Sequence, residues 1–90
     1  MQADHEKVKR QLKIARGQID GLLKMVDEDA YCIDVSNQIM ATNALLKRVN
    51  AIVLSAHLEH CVKDAALVGD ADEKLKEIQS VLNRLLQEAN

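Results

Sequence analysis

Two cysteines and one histidine are the residues whose types and spacing could do chemistry in this 90-residue chain. His57 and Cys61 are four positions apart, which places them on one face of a helix, where they can chelate a single ion. Cys32 adds a second thiol. Two soft thiolates and one imidazole suit Cu(I), and Zn(II) is the usual competitor, although zinc would want a fourth ligand. The spacing therefore indicates a candidate metal site made of these three residues.

Other interpretations of the same residues stay open at this point. Buried cysteines often pack as small apolar side chains, and Cys32, near a helix start, could be a reactive thiol. The neighbouring His60 points about 100° away from Cys61 around a helix, so we expect it to be a surface or packing residue rather than a ligand. The start of the chain is polar and charged, with no signal peptide, so we expect a cytoplasmic protein with reduced cysteines.

Three helices are expected to hold these residues, because proline is absent and Leu, Ala, Val, Ile, Lys and Glu dominate. Apolar residues recur every three or four positions in three stretches, from about Asp4 to Val26, from about Cys32 to Leu67 and from about Ala71 to Ala89. The apolar stripe of the first stretch is Val8, Leu12, Ala15, Ile19, Leu22 and Val26, and that of the third is Leu75, Ile78, Leu82, Leu85 and Ala89. The acidic run Asp27-Glu28-Asp29 separates the first two. Gly69 is a good helix stop, and Asp70 with Glu73 resembles a capping box. We expect one all-α domain over residues 1–90.

The length of the second helix predicts self-association. Some 30 helical residues extend about 45 Å, whereas a compact 90-residue monomer has a radius of gyration near 12 Å. Cys32 and Cys61 are 29 positions apart, which is about 43 Å along one unbroken helix. One chain therefore cannot close a site with both. If this helix pairs antiparallel with its copy, Cys32 of one subunit falls near His57 and Cys61 of the other.

The distribution of charge indicates a polyanion partner, although the net charge is only −2. Five positive charges with no acid among them fall within ten residues: Lys7, Lys9, Arg10, Lys13 and Arg16. Lys9, Lys13 and Arg16 share a helical face, with Arg10 beside it. The chain has no helix-turn-helix motif and only one aromatic residue, Tyr31, so duplex DNA bound through phosphates and shape fits best. A solvated charged face remains the alternative.

Two classes of protein are disfavoured. No apolar run approaches the roughly 20 residues that a membrane span needs, so no membrane partner is expected. No nucleophile lies beside a base and an orienting group, so we expect neither an enzyme nor a small-molecule substrate.

Several motifs resemble the copper-sensitive operon repressor (CsoR) family. They are Asp29-Ala30-Tyr31-Cys32, His57-Leu58-Glu59-His60-Cys61, Arg16-Gly17-Gln18-Ile19-Asp20-Gly21 and Gln38-Ile39. The resemblance spans essentially the whole chain, and the Cys, His, Cys spacing matches the copper-sensing branch. It implies a three-helix protomer, an antiparallel four-helix bundle dimer and a homotetramer made of two dimers. It also implies Cu(I) held across the dimer interface by Cys32 of one chain and His57 and Cys61 of the other.

The resemblance implies further roles. Tyr31 and Glu77 would relay copper binding to the DNA surface, and Arg48 would join Lys9, Arg10, Lys13 and Arg16 in contacting DNA. Some members carry an extra basic residue next to Arg10, where this chain has Gln11. The implied function is a copper(I)-responsive transcriptional repressor, which binds operator DNA in the metal-free form and is released by Cu(I).

Related branches and other functions provide the alternatives. Members that sense nickel or cobalt use more histidines, and members that sense persulfide lack the histidine that His57 supplies here. A thiol-responsive repressor, in which Cys32 and Cys61 of different chains join through sulfur, would keep the same fold. A cytosolic copper buffer would keep the metal site and have no role at DNA.

Overall fold

The computed structural model describes residues 1–68 and 71–89, and only the backbone of residues 65, 68, 71, 88 and 89. It contains α1 (His5–Asp27), α2 (Cys32–Val68) and α3 (Ala71–Ala89), with no strand in these ranges. The predicted all-α class and its three helices are confirmed, with bounds that differ by at most one residue. The predicted stop at Gly69 and the capping box at Asp70 lie outside the described residues. None of the described helices is long and apolar enough to cross a membrane.

The acidic run ends α1 in a Schellman motif. The Ala30 N–H donates to the Met25 carbonyl at 2.9 Å, and the Asp29 N–H donates to the Val26 carbonyl at 3.1 Å. Asp29 has a φ of 54°, the left-handed conformation that glycine or asparagine usually supplies at this position. These two bonds satisfy helix-end carbonyls and turn the chain towards α2.

Tyr31 is the residue that begins α2. Its carbonyl accepts hydrogen bonds from the N–H groups of Asp34 and Val35, at 3.0 and 3.1 Å. Tyr31 therefore occupies the N-cap position, and Cys32 is the first helical residue. Asp34 lies in the first turn, where a negative charge interacts favourably with the helix dipole.

Contacts group the chain into two compact units. The hairpin unit comprises His5–Val49, which is α1 with the first half of α2, and the terminal unit comprises Met1–Asp4 with Asn50–Asn90. The candidate ligands predicted from the sequence divide between them, since Cys32 belongs to the hairpin unit and His57 and Cys61 to the terminal unit.

The hairpin unit has a narrow apolar seam. Its buried apolar residues are Val8 and Ala15 on α1 and Leu45 and Val49 on α2, and the buried Thr42 joins them. Val8 and Ala15 are seven residues apart, as are Thr42 and Val49, which is the spacing of paired helices. The apolar stripe predicted for α1 is only partly buried, because its members Leu12, Ile19 and Val26 are 45%, 46% and 64% exposed.

One polar contact lies within the seam of the hairpin unit. The Thr42 hydroxyl donates to Oε1 of Gln18 at 2.8 Å, and it also lies 3.1 Å from the Gln38 carbonyl. Thr42 is 5% exposed, so its hydroxyl depends on these acceptors rather than on water.

Among the side chains that the structure describes, the terminal unit buries few apolar residues. Ala3, Cys61 and Val81 are its buried apolar residues, whereas Leu75 and Leu82 of the stripe predicted for α3 are 53% and 43% exposed. Lys74 and Glu77, on the same face as Val81, are half-buried. The face of α3 that packs within this unit is therefore partly polar, and this polarity belongs to the site described next.

Candidate metal centre

Three possible metal ligands meet in the terminal unit. Nε2 of His57 lies 3.5 Å from Sγ of Cys61 and 2.8 Å from Oε1 of Glu77. Each of these three residues offers one possible ligand atom, and the three atoms lie within 4.8 Å of one another. The cluster contains two of the three predicted metal ligands and the predicted relay residue Glu77.

Helix geometry explains how the cluster forms. His57 and Cys61 are one turn apart on α2, so their side chains project from the same face. Glu77 comes from α3, within the same unit. Cys61 is 2% exposed, whereas the side chains of His57 and Glu77 are 43% and 41% exposed. The site thus has a buried thiol and an open side through which an ion or another subunit can approach.

The three groups influence one another electrostatically. Burial raises the pKa of the Cys61 thiol, and the nearby Glu77 carboxylate raises that pKa further. Hydrogen bonding to His57 lowers the pKa of Glu77, with a smaller contribution from Cys61. The thiol is therefore held protonated beside an ionised carboxylate, and an ion that binds Cys61 must displace the thiol proton.

Two charged residues extend the cluster, and sequence reasoning missed both. Nζ of Lys74 lies 2.9 Å from Oδ2 of Asp64 and 3.9 Å from Oε2 of Glu77. This pairing lowers the pKa of Asp64 and raises that of Lys74. The spacing contained a hint, because Asp64 is three residues after Cys61 and Lys74 three before Glu77, and both spacings place neighbours on one helix face.

Cys32 and Tyr31 are not part of this cluster. Both lie in the hairpin unit at the start of α2, where Cys32 is exposed and Tyr31 is 69% exposed. Cys32 borders an open hollow lined by apolar residues, among them Val26, Val35 and Ile39. The assignment of Cys32 as a third ligand, and of Tyr31 as a relay residue, stays a prediction.

The predicted DNA-contacting residues all lie on the surface of the hairpin unit. Lys9, Arg10, Lys13 and Arg16 on α1 and Arg48 on α2 are exposed. Lys9, Lys13 and Arg16 line one shallow cleft together with Leu12, so three of the five cations share a surface. His60, which we expected to be a surface or packing residue, is exposed.

The donor chemistry of the cluster fits a soft ion. A thiolate and an imidazole suit Cu(I), Zn(II) and other ions that favour sulfur and nitrogen. The third donor within reach, Glu77, already has one oxygen on His57 and the other beside Lys74. The cluster thus supplies two donors suited to a soft ion, the imidazole of His57 and the thiol of Cys61.

Comparison with known proteins places these residues in context. The family model described as "metal-sensitive transcriptional repressor" matches residues 4–84. The copper-sensing transcriptional repressor CsoR of Mycobacterium bovis is 42% identical over 67 residues, which is 74% of this chain. That match spans 56% of the relative's own length, a little more than half.

Two solved structures are similar over most of the chain. The nickel-responsive transcriptional regulator InrS matches with a TM-score of 0.84 and 30% identity, covering 94% of this chain and 96% of that one. The copper-sensing repressor CsoR with Cu(I) from Geobacillus thermodenitrificans matches with a TM-score of 0.77 and 36% identity, covering 90% and 84%.

Proposed function

Because the chain belongs to the family of metal-sensitive transcriptional repressors, we propose that it represses transcription when metal-free and leaves its operator in response to Cu(I). The observation that carries the proposal is the cluster of His57, Cys61 and Glu77, whose possible ligand atoms lie within 4.8 Å of one another. It combines two donors suited to a soft ion with a carboxylate that contacts one of those donors from another helix.

The proposed Cu(I) ligands are His57 and Cys61 of one subunit and Cys32 of a second. The two thiols and the imidazole are soft or borderline donors. Together these three donors satisfy Cu(I), whereas Zn(II) prefers a fourth ligand. Cys32 and Cys61 are 29 positions apart in the sequence, a spacing that predicts on helix geometry that they do not bind one ion within a chain. The third ligand of the proposed site is therefore Cys32 of another chain.

Exposed apolar residues support the proposed assembly into dimers and a homotetramer. Leu12, Ile19 and Val26 form a row on α1 and are at least 45% exposed, and Ile39 and Met40 on α2 are 52% and 66% exposed. Apolar rows on two helices of one hairpin are suited to pairing with a copy as an antiparallel four-helix bundle. Residues 1–90 would then act as one sensing and DNA-binding domain in the cytoplasm.

The contact between His57 and Glu77 is the proposed link between metal binding and DNA binding. An acceptor on one ring nitrogen fixes the orientation of a histidine that binds metal through the other. Oε1 of Glu77 lies 2.8 Å from Nε2 of His57, the nitrogen that also lies 3.5 Å from Sγ of Cys61, so Cu(I) would bind through Nδ1. A turn of the ring towards the ion would then change the contact with Glu77 and, through it, α3. Tyr31 would contribute from the neighbouring subunit, next to Cys32.

The basic residues on the hairpin unit are the proposed DNA contacts. Lys9, Arg10, Lys13, Arg16 and Arg48 would neutralise phosphates of duplex operator DNA, so binding should weaken steeply as salt rises. Coupling between two ligands is reciprocal. If Cu(I) weakens DNA binding, the operator must weaken Cu(I) binding by the same factor.

A gel-shift series with the DNA upstream of the gene tests the proposal. Anaerobic metal-free protein should retard this DNA more than a scrambled duplex, and one equivalent of Cu(I) per chain should release it. Ni(II) is the informative competitor, because InrS is described as nickel-responsive. Release by Ni(II) but not by Cu(I) would contradict copper sensing, and release only by a persulfide or an oxidant would favour a thiol sensor.

One variant separates sensing from simple copper storage. His57→Ala should keep two-thiolate Cu(I) binding and lose most of the operator response, because it removes the group that contacts Glu77. His60→Ala, an exposed histidine three residues later, is the matched control and should respond as the unmodified chain does. Wild-type release by His57→Ala would contradict the proposed link, and failure of the unmodified protein to bind DNA would favour a copper buffer.

A further inference from the structure

The cluster in the terminal unit poses a problem of selectivity. A thiol, an imidazole and a carboxylate within 4.8 Å are the ligand types of many zinc sites. Zn(II) and Co(II) accept carboxylate oxygen readily, whereas Cu(I) favours sulfur and nitrogen. Left to itself, the triad of His57, Cys61 and Glu77 would therefore suit a divalent ion within a single chain.

Both oxygens of the Glu77 carboxylate are engaged, however. Oε1 lies 2.8 Å from His57, and Oε2 lies 3.9 Å from Nζ of Lys74. A separation of 3.9 Å is too long for a hydrogen bond, so Lys74 acts on Glu77 through its charge. Asp64, at 2.9 Å from the same Nζ, fixes the ammonium group next to the carboxylate.

We propose that Lys74 is a specificity-determining residue, which disfavours Zn(II) and Co(II) at the cluster of His57, Cys61 and Glu77. The inference rests on the proposed function, since it takes Cu(I) as the ion to be admitted. A fixed ammonium repels a divalent cation twice as strongly as a monovalent one at the same position. It also competes for the oxygen that Glu77 would need to offer as a ligand.

Lys74 could instead serve only to hold α2 and α3 together through Asp64. A structural role of that kind predicts that loss of the charge lowers stability and leaves the preference among metals unchanged. The specificity role predicts that affinity for divalent ions rises while affinity for Cu(I) changes little. The structural role therefore predicts a change in stability, and the specificity role predicts a change in affinity for divalent ions.

The test compares Lys74→Met, which removes the charge and keeps the length of the side chain, with two controls in the full chain. Lys76→Met makes the same charge change at an exposed position of α3, and Lys74→Arg keeps the charge. Each metal-free protein is titrated anaerobically with Co(II), whose absorption reports thiolate coordination, and then with Zn(II) and Cu(I) against competing chelators.

Lys74→Met should bind Co(II) and Zn(II) about tenfold more tightly than the unmodified chain, with Cu(I) affinity changed about twofold or less. Both controls should behave as the unmodified chain does. Adding Glu77→Gln to Lys74→Met should cancel the gain, because the amide is a poor ligand for these ions. Circular dichroism establishes that each variant is folded.

Two results would overturn the inference: divalent affinity in Lys74→Met equal to that of the unmodified chain, or an equal gain in Lys76→Met. Neither would affect the proposed function, which the unmodified protein tests separately by its Cu(I) binding and its release from operator DNA. Conversely, an unmodified chain that binds Cu(I) poorly would contradict the proposed function, whatever Lys74→Met does with Co(II).

Discussion

The hairpin unit and the terminal unit hold their helices together by different means. In the hairpin unit, four apolar residues and Thr42 form a buried seam, and a hydrogen bond from Thr42 to Gln18 lies within it. In the terminal unit, α2 and α3 are joined by the contacts of His57 with Glu77 and of Asp64 with Lys74. Apolar packing is insensitive to ligands, whereas polar contacts made by a metal ligand change when an ion binds. The seam of the hairpin unit thus resembles a scaffold for its exposed Cys32 and basic residues, and the contacts of the terminal unit have the properties of a sensor.

The largest expected effect is on Cu(I) affinity, when a proposed ligand is removed from either unit. Cys32→Ala removes a thiol from the hairpin unit and Cys61→Ala removes one from the terminal unit. Each homodimer lacks one thiolate at both proposed sites, so each should bind Cu(I) at least about a thousandfold more weakly than the unmodified protein, as befits loss of a soft ligand. The measurement is competition with a Cu(I) chelator.

Mixing the two variants provides the control for this prediction. Refolded together, they should form heterodimers in about half of all dimers if pairing is random. One site of each heterodimer then has Cys32 from one chain and His57 with Cys61 from the other, so about one tight site per heterodimer should return. If mass spectrometry shows heterodimers and no tight site returns, the ligands do not come from two subunits.

The next effect should separate stability from sensing. Leu45 is 4% exposed in the seam of the hairpin unit, and Leu45→Ala should lower the free energy of unfolding by about 2–5 kcal/mol, because it leaves a cavity. Its Cu(I) affinity should remain within about twofold of the unmodified value if the scaffold and sensor are separate. Urea unfolding and Cu(I) competition measure the two quantities.

A matched leucine on the surface controls for the substitution itself. Leu67 is 85% exposed, and Leu67→Ala should change stability by less than about 0.5 kcal/mol. If Leu45→Ala weakened Cu(I) binding as strongly as it lowered stability, the contrast between scaffold and sensor would have to be abandoned.

The fold of the hairpin unit was largely predictable from local pattern. Helical periodicity and the acidic run gave the bounds of α1 and α2 to within one residue, because these are properties of neighbouring residues. The left-handed conformation of Asp29 was not predicted, since glycine or asparagine is the usual residue there. The sequence also did not indicate which residues of the α1 stripe are buried and which are exposed. Both sets are apolar, and only the fold decides which of them packs within the chain.

The site was predictable to a smaller extent. The four-residue spacing of His57 and Cys61 places them on one face of a helix from sequence alone. The role of Glu77 was predicted only from the family resemblance. The ion pair of Asp64 with Lys74 was missed, since nothing in a linear sequence says which residues of two helices will face each other. Spacing predicts neighbours on one helix, and the three-dimensional fold decides which neighbours meet across helices.

A smaller effect follows from the protonation of the sensor. Burial raises the pKa of the Cys61 thiol, so below that pKa the metal-free protein carries a proton that Cu(I) must displace. The apparent Cu(I) affinity should therefore rise with pH, by up to about tenfold per unit for each proton released. The pKa of Glu77 lies below its ordinary 4.5, so this carboxylate stays ionised and contributes no slope between pH 6 and 8.

Competition with a chelator at pH 6, 7 and 8 checks this dependence, after correction for protonation of the chelator. Leu45→Ala, altered only in the hairpin unit, should show the same slope as the unmodified protein. A Cu(I) affinity that is constant over this range would mean that Cys61 is already a thiolate in the metal-free protein.

The smallest effect concerns the hydrogen bond from Thr42 to Gln18 in the seam of the hairpin unit. Thr42→Val keeps the shape of the buried side chain and removes the hydroxyl that donates to Gln18 at 2.8 Å. Stability should fall by about 1 kcal/mol, the usual net value of one hydrogen bond, because Oε1 of Gln18 loses its donor. Gln18 is only half-buried, so water can replace part of the lost interaction and keep the loss near this value.

The double variant Thr42→Val with Gln18→Leu makes the seam wholly apolar. Replacing both partners by apolar groups is nearly neutral or stabilising, so the double variant should recover the stability lost in Thr42→Val. If the seam serves only to hold α1 and the first half of α2 together, operator release by Cu(I) should be unchanged in both variants. A folded double variant that binds Cu(I) normally and fails to release DNA would instead show that the contact of Thr42 with Gln18 belongs to the response, because a scaffold that carries no signal has no reason to need it.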